Sequence, residues 1–387
     1  MCDRRPAEMN DSNSATPSPA GKRSFDPLSG IRARYARYRA LDPRGRRRWW
    51  GDFLVRNAIY IVIVLLVIYV QVYSIQKGFP NHFLSFKSIV DILKRSGSSL
   101  FLALGIGGII VLTGTDLSAG RIMGLTACIS ASLLQKPVDS YAAKMFPELT
   151  APPIWLVLLL LMAIGGAIGA FNGFCVAKFK LHPFIVTLAT QLMLYGAVLM
   201  YVQLGTNGGG PISGLTEEYK TVVKGTVSIG QAAIPYYVFY AVAAAVIMWL
   251  IWNKTALGKN MYAVGANPEA ANVSGVSVTK TIVLVFTMAG ILYGFSGFIE
   301  AARIGSNGAA TGVNAELDAI AACVIGGVSF SGGTGKISGI ITGVILLQII
   351  SVALQWLSVS SDLQYIIKGL IILVAVALDM RKYLAKK

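Results

Sequence analysis

The sequence contains few charged residues. Asp, Glu, Lys and Arg make up 13% of its 387 residues, where a soluble globular protein has about a quarter. Hydrophobic residues account for 55%, and apolar runs recur from residue 54 almost to the C-terminus. Such runs are long enough to cross a hydrocarbon core about 30 Å thick. The composition therefore excludes an ordinary soluble domain and predicts a protein that crosses a membrane several times.

Histidine and cysteine are also scarce. The two histidines and four cysteines are scattered singly along the chain, without the paired spacings of a disulfide framework or a zinc site. Cys128, Cys175 and Cys323 lie in apolar segments, where packing is the ordinary role of a thiol. We therefore expect no metal site.

A nucleotide-binding signature is missing as well. Residues 330–338 (FSGGTGKIS) look like a phosphate-binding loop, but Phe330 stands where the first glycine belongs. Ile337 replaces the hydroxyl residue that would hold magnesium. We expect this chain to bind no cofactor and to catalyse no bond chemistry, so that any ATP and Mg²⁺ are used by another subunit.

Apolar segments are abundant, and we distinguish ten of them. They must be helices, because backbone polar groups in lipid are satisfied within the segment and the alternation of barrel strands is absent. The third and the eighth are short for a full crossing, so Gly-rich backbone beside them should lie deep, covered by protein or lining a cavity. The predicted fold class is an all-α polytopic membrane protein with about ten transmembrane helices. The spans cover approximately residues 54–73, 97–112, 122–134, 154–171, 184–202, 236–251, 281–301, 317–328, 337–354 and 363–378.

The charges divide the chain into a basic N-terminal tail at 1–53, a membrane domain at 54–379 and a basic C-terminal tail at 380–387. The first tail is predicted to be partly disordered. Its residues 31–41 form either an amphipathic helix on anionic lipid or a solvated segment. Lys and Arg outside the spans are in excess on the side of the N-terminus, although the tail supplies over half of them. Both termini are therefore expected in the cytoplasm, and the formal charge of +16 reflects topology rather than nucleic-acid binding.

This topology puts the polar stretch 252–280 in the cytoplasm and residues 205–235 outside. The cytoplasmic stretch contains a complete short-helix pattern. Asn267 is suited to the N-cap, Pro268 to the first helical position and Glu269 to the positive end of the helix dipole, while Gly275 supplies a left-handed stop. A helix of about two turns is unstable alone, so it should form only where it docks.

Two Gly-rich joints are predicted on the inner side, at residues 113–124 and 329–339, and both contain Gly, a cation, Ile, any residue and Gly in order. A carboxylate near a span end is costly unless it is paired or wetted. Asp116 is therefore either part of a gate or, as we favour, an acceptor that caps the third span. The candidates for the inner mouth are Asp116, Ser118, Gly120, Gly333 and Lys336.

Charged residues also occur at the predicted outer ends of spans. Glu300 and Arg303 are three residues apart and can pair on one helix face, and we favour this simple ion pair over a substrate contact. Asp318 and Lys368 lie near the outer ends of the eighth and tenth spans. Snorkelling explains Lys368 without a function. The outer-end candidates are Glu300, Arg303 and Asp318.

Four segments together resemble one known family. They are DLSAGR at 116–121, GKNMYAVGANPEAANVSGVSV at 258–278, ELDAIAACVIGGVSFSGGTGK at 316–336 and QYIIKG at 364–369. The chain is similar over about residues 55–387 to the permease subunits of bacterial monosaccharide ABC importers. Within the ribose/xylose/galactose permease family, the galactose/methyl-galactoside members are the most similar.

The resemblance implies ATP-driven import of a monosaccharide across the inner membrane. Its implied partners are an ATP-binding subunit in the cytoplasm, a periplasmic sugar-binding protein, a second copy of the chain as a homodimer, and membrane lipid, with no nucleic acid. It further implies that Glu269, Ala270 and Ala271 match the Glu-Ala-Ala of a coupling helix that fits a groove in the ATPase. The ATPase-coupling candidates are Asn267, Pro268, Glu269, Ala270, Ala271 and Gly275.

Two other mechanisms remain as alternatives. An ion- or proton-coupled secondary transporter needs titratable groups near the membrane midplane, whereas the charges here are expected at span ends. A passive channel would have no use for the capped cytoplasmic helix. A permease that receives sugar from a binding protein needs little sugar affinity of its own, so we expect few polar residues along its pathway.

Overall fold

The computed structural model describes residues 42–78, 82–136, 144–230 and 232–384. The amphipathic segment predicted at 31–41, most of the N-terminal tail and residues 385–387 lie outside this part of the chain. The structure is 73% helical. Its helices are α1 (Pro43–Gln76), α2 (Phe86–Val111), α3 (Ala119–Leu133), α4 (Ile154–Phe179), α5 (Pro183–Val202), α6 (Glu217–Lys224), α7 (Tyr236–Lys254), α8 (Ala256–Ala266), α9 (Pro268–Val273), α10 (Val278–Ile304), α11 (Ala315–Ile325), α12 (Ile337–Trp356) and α13 (Ser361–Leu384). Strands β1 (Thr226–Ile229) and β2 (Ala232–Pro235) form an antiparallel hairpin.

The chain separates into two compact units, Met1–Arg56 and Asn57–Lys387. The described part of the first unit is Asp42 and the beginning of α1. The second unit contains the remainder of α1 and every later element, and the sites described below lie within it.

Each of the ten predicted spans coincides with one helix. Among the described residues, α4, α5, α7, α10 and α12 are long and apolar enough to cross a membrane. The apolar part of α1, Tyr60–Gln76, and α3 are shorter. The chain is thus a helical polytopic membrane protein.

The predicted outer segment 205–235 holds structure that the sequence analysis did not anticipate, namely α6 and the hairpin. Tyr219 anchors α6, because its fully buried hydroxyl is 2.8 Å from Ser130 Oγ in α3 and also donates to the Phe298 carbonyl in α10. An eight-residue helix with charged ends has only a short apolar pattern, so its docking decides whether it forms.

Helix α10 is the centre of the bundle and packs against α2, α3 and α4. Glycines allow its backbone to touch that of α4: a methyl group added to Gly165 or Gly290 would collide with the carbonyl oxygen of the other residue. Gly294 lies in the same way against the Leu161 carbonyl. The expectation that glycine-rich spans pack closely is therefore confirmed.

Two short helices begin inside the bundle. Helix α3 follows α2 after residues 112–118, and α11 follows α10 after residues 305–314. The start of α3 meets the turn that precedes α11, because a methyl group on Gly120 would collide with the Gly312 carbonyl, and one on Gly124 with the Thr311 carbonyl. Helices α2 and α10 are antiparallel, since Ser98 contacts Glu300 while Gly108 lies beside Val285. The short helices therefore approach each other from opposite ends of the bundle, and Gly120 and Gly124 are buried where they meet.

The seam between α4 and α10 should tolerate no added side chain. We expect Gly290→Ala to lower the stability of the protein by about 1–3 kcal/mol, because the new methyl group forces two backbones apart. Gly196→Ala in α5 is the matched control, since no atom lies within 4 Å of its added Cβ and alanine favours the helix. Thermal unfolding of the purified full-length chain in detergent measures both. Equal unfolding temperatures would contradict the close contact.

Candidate functional site

The short helix predicted in the cytoplasmic stretch is present as α9. The Asn267 side chain accepts a hydrogen bond from the Ala270 N–H at 3.0 Å, and Pro268 occupies the first helical position. Gly275 has a φ of +83°. The Gly275 N–H donates to the Asn272 carbonyl and the Val276 N–H to the Ala271 carbonyl, both at 3.0 Å, which is the Schellman arrangement. Both predicted caps are confirmed.

Helix α9 docks by one face and leaves the other face free. Ala271 is buried at 5% exposure, whereas Glu269 is exposed and Val273 is 89% exposed. The helix contacts α8 and α10. Glu269 and Val273 therefore face away from the helices that α9 packs against.

Helix α8, which carries α9, was not predicted from the sequence. Its N-cap is Thr255, whose Oγ1 accepts from the Gly258 N–H at 3.4 Å. Glycines such as Gly258 and Gly265 are typical of loops, but here they let the backbone of α8 approach its neighbours. A methyl group added to Gly258 would collide with the Trp252 carbonyl, and one added to Gly265 with the Val111 carbonyl. A hydroxyl three residues before a helical glycine was the only local signal.

The second Gly-rich joint lies between α8 and the end of α2. The Gly333 N–H donates to the Val111 carbonyl at 2.9 Å, and the Tyr262 hydroxyl of α8 donates to the Gly335 carbonyl at 2.9 Å. Lys336, at the N-cap position of α12, is exposed. Gly333 and Lys336 therefore lie next to the segment that carries α9.

Asp116, Ser118 and Gly120 belong to the first Gly-rich joint and the start of α3. Asp116 is 1% exposed, and its Oδ1 accepts from the Ser118 N–H at 2.9 Å and from the Ser118 hydroxyl at 2.6 Å. The network continues into α4 and α5, because Asn172 donates to Ser118 Oγ at 3.0 Å and Thr190 donates to Asn172 Oδ1 at 2.6 Å. These hydrogen bonds hold the start of α3 inside the bundle.

The cap hypothesis for Asp116 is confirmed, because its carboxylate accepts from the Ser118 N–H at the start of α3. Asp116 lies directly before a predicted span, as expected, but it is buried. Asn172 and Thr190, polar residues within apolar spans, were the signal that could have indicated a buried network.

The three outer-end candidates line one cavity of about 350 Å³. Arg303 donates two hydrogen bonds to the Glu300 carboxylate, at 2.7 and 2.5 Å, and Ser98 Oγ donates to the same group at 2.8 Å. Lys368 Nζ is 2.8 Å from Asp318 Oδ2. Glu300 and Arg303 thus form the predicted pair. Snorkelling alone does not describe Lys368, because its ammonium group also binds a carboxylate of another helix.

Further polar side chains line this outer cavity. Gln348 is 9% exposed and donates to Ser99 Oγ at 3.0 Å, which joins α12 to α2. The floor is formed by small residues where α3 and α11 meet, including Gly312, Ala319 and Ala322. Gln348 was the available sequence signal, since a lone amide within an apolar span is costly unless it has a partner. The remaining polar residues of the lining include Arg95, Ser351, Gln355, Gln364 and Tyr365.

A second charged cluster lies on α6, away from the cavity. Glu217 binds Lys136 at 2.7 Å and Lys220 at 3.1 Å. The hydrogen bond from Lys136, followed by that from Lys220, lowers the pKa of the Glu217 carboxyl. The carboxylate therefore keeps its charge, and these pairs persist, to a lower pH than for an unpaired Glu. Within the part of the chain that the structure describes, no group of three or more His, Cys, Asp or Glu is arranged to hold a metal ion.

The Asp318–Lys368 pair should matter more than the exposed pair on α6. Lys368→Met is expected to destabilise the protein by about 1–3 kcal/mol, because it leaves a partly buried carboxylate without its partner. Lys220→Met should have a smaller effect, because its ion pair with Glu217 is exposed to solvent. The double variant Asp318→Asn/Lys368→Met should recover most of the loss. Thermal unfolding in detergent compares the three, and a double variant less stable than Lys368→Met would refute the pairing.

Residues 88–376 match the family described as "branched-chain amino acid transport system / permease component". The galactose/methyl galactoside import permease protein of Escherichia coli is 44% identical over 335 residues, which are 87% of this chain and 97% of that protein. The protein of the same description in Haemophilus influenzae is 44% identical over 336 residues, with the same shares. The ribose import permease protein of Haemophilus influenzae is 33% identical over 338 residues, covering 87% and 96%. No solved structure matches. The resemblance that the four sequence segments indicated is confirmed.

Proposed function

Since the chain belongs to the branched-chain amino acid transport system / permease component family, we propose that it is the membrane-spanning subunit of an ATP-driven importer of galactose or methyl galactoside. The sugar follows from the names of the relatives, because the galactose/methyl galactoside permeases are 44% identical and the ribose permease 33%. The chain is a transport subunit of the inner membrane and not an enzyme.

The observation that carries this proposal is α9. A six-residue helix is too short to be stable alone, yet it is capped at both ends and docked through Ala271, with Glu269 and Val273 facing outward. The sequence has no nucleotide-binding motif, so energy must enter through a partner. Helix α9 is the surface on which an ATP-binding subunit would dock, and ATP and Mg²⁺ belong to that subunit.

The other partners and the topology complete the proposal. Ten helices cross the membrane with both termini in the cytoplasm, which is supported by the ten apolar spans and by the excess of Lys and Arg on that side. A periplasmic sugar-binding protein delivers the sugar at the opposite face. Two copies of the chain form a homodimer surrounded by lipid. The coupling residues are Asn267, Pro268, Glu269, Ala270, Ala271 and Gly275.

The contacts of α8 indicate how a movement of α9 would enter the bundle. Closure of the ATP-binding subunits displaces α9 together with α8, to which it is joined at Asn267. Helix α8 touches the end of α2 at Val111 and the joint before α12 at Gly335. The first helices to be shifted are therefore α2 and α12, and a concerted shift exposes the pathway to alternate sides of the membrane.

The alternative, an ion- or proton-coupled secondary transporter, draws its support from Asp116, a carboxylate buried among helices. Uptake of labelled galactose separates the two mechanisms. Right-side-out vesicles are loaded with ATP, supplied with the binding protein, and treated to collapse the membrane potential and the proton gradient. We expect uptake to continue, because the energy comes from ATP. Uptake that stops on ATP depletion while the gradients are intact would support our proposal. Uptake that stops when the gradients are collapsed in the presence of ATP would refute it.

The exposed face of α9 can be tested directly. Val273→Asp should reduce uptake more than about tenfold and abolish copurification of the ATP-binding subunit, because a charge would replace an apolar contact at the centre of the interface. Glu269→Lys should do the same by reversing the charge. Val227→Asp, a matched change at a half-exposed valine of β1, should leave both unchanged. Normal uptake by Val273→Asp and Glu269→Lys would exclude α9 as the coupling helix.

A further inference from the structure

The outer cavity is lined by polar side chains that hydrogen bonds hold in place, whereas a void left by imperfect packing is lined by apolar atoms. Glu300 is held by Arg303 and Ser98, Asp318 by Lys368, and Gln348 donates to Ser99. Gathering charged and amide groups at a partly buried wall is unfavourable unless they serve one another or a ligand. The few polar pathway residues expected for a permease without sugar affinity do not describe this cavity.

The charge balance of the wall selects the class of ligand. Two carboxylates, Glu300 and Asp318, and three cations, Arg95, Arg303 and Lys368, line the wall. Arg303 is paired with Glu300 and Lys368 with Asp318, and Arg95 is paired with Asp91 behind the lining, so each charge is already matched. An anion or a cation would gain little from such a neutral set. A neutral ligand whose every hydroxyl both donates and accepts can use the acceptors and the donors together.

The size and the single aromatic side chain point in the same direction. About 350 Å³ is near the lower end of the range of ligand pockets, roughly 300–1,000 Å³, and suits a molecule of one ring. Tyr365 of α13 also lines the cavity, and an aromatic ring can cover the C–H face of a sugar while the charged groups bind its hydroxyls.

We propose that the outer cavity is a binding site for the transported monosaccharide within a single chain, with the Glu300–Arg303 and Asp318–Lys368 pairs and Gln348 binding its hydroxyls. This inference rests on the proposed function and adds to it a sugar site in the permease itself. The site lies where α2, α10, α11, α12 and α13 converge, so the sugar occupies it between release from the binding protein and passage through the bundle. Because the binding groups hold one another in place, the site is preorganised but weak, as a transit site must be.

Saturation-transfer NMR tests the site without the partner proteins. The probe is methyl β-galactoside added to the purified full-length chain in detergent. We expect a saturable signal that galactose competes away, and an affinity at least about fivefold weaker in Gln348→Leu, which removes a hydrogen-bonding group at nearly constant volume. The control Gln203→Leu, an exposed change at the C-cap of α5, should bind as the wild type does.

Uptake by the complete transporter provides a second measurement. At saturating loaded binding protein, Gln348→Leu should lower the maximal rate at least about fivefold, while the binding-protein concentration for half-maximal uptake stays constant because docking is unaffected. If Gln348→Leu unfolds, Asp318→Asn, which keeps the side-chain size, takes its place in both assays.

The outcomes separate this inference from the proposed function. No saturable signal from the wild type, or equal affinity in Gln348→Leu and Gln203→Leu, would overturn the sugar site even if ATP-driven uptake were normal. Absence of any ATP-driven monosaccharide uptake by the wild-type transporter would instead refute the proposed function. Weakened binding in Gln348→Leu together with a lower maximal rate supports both.

Discussion

The structure depends on the contact between the first turn of α3 and the turn that precedes α11. Glycine at positions 120 and 312 lets the two backbones meet, since a methyl group added at either would collide with the carbonyl oxygen of the other. Both helices present their amino ends to the inside of the bundle, where unpaired N–H groups create positive potential. Carboxylates accordingly lie near both amino ends. Asp116 precedes α3, and Glu316, which is 2% exposed in the first turn of α11, occupies the space beside Gly120.

Local chemistry made α9 predictable. Asn267, Pro268 and Gly275 each have a conformational preference that acts within a few residues, so their sequence spacing determined both ends of the helix. The same reasoning failed for α8, because Gly258 and Gly265 are small to accommodate Trp252 and Val111. A glycine required by packing and a glycine required by a turn have the same local sequence signal, and only the neighbouring helices distinguish them.

The spans themselves were predictable, since hydropathy is a property of each segment alone. Their depth and their mutual contacts were not. Asp116 was expected to cap α3 through a neighbouring N–H, but the sequence did not indicate that Ser118, which donates to Asp116, would be joined to Asn172 and through it to Thr190. The outer cavity shows the same limit: Asp318 and Lys368 were identified singly, but their pairing across 50 positions in the sequence depends on the packing of α11 against α13.

The arrangement of two helices relates α8 and α9 to the outer cavity. Helix α2 ends at Val111 against α8 and carries Ser99 at the cavity, while α12 begins beside the joint that Tyr262 of α8 holds. Gln348, near the middle of α12, donates to Ser99. A helix moves as a nearly rigid rod, and coupling between distant sites requires such continuous elements with alternative arrangements. Helix α8 therefore contacts both of the helices that carry the Ser99–Gln348 hydrogen bond, so α2 and α12 connect the cavity wall with the segment that carries α9.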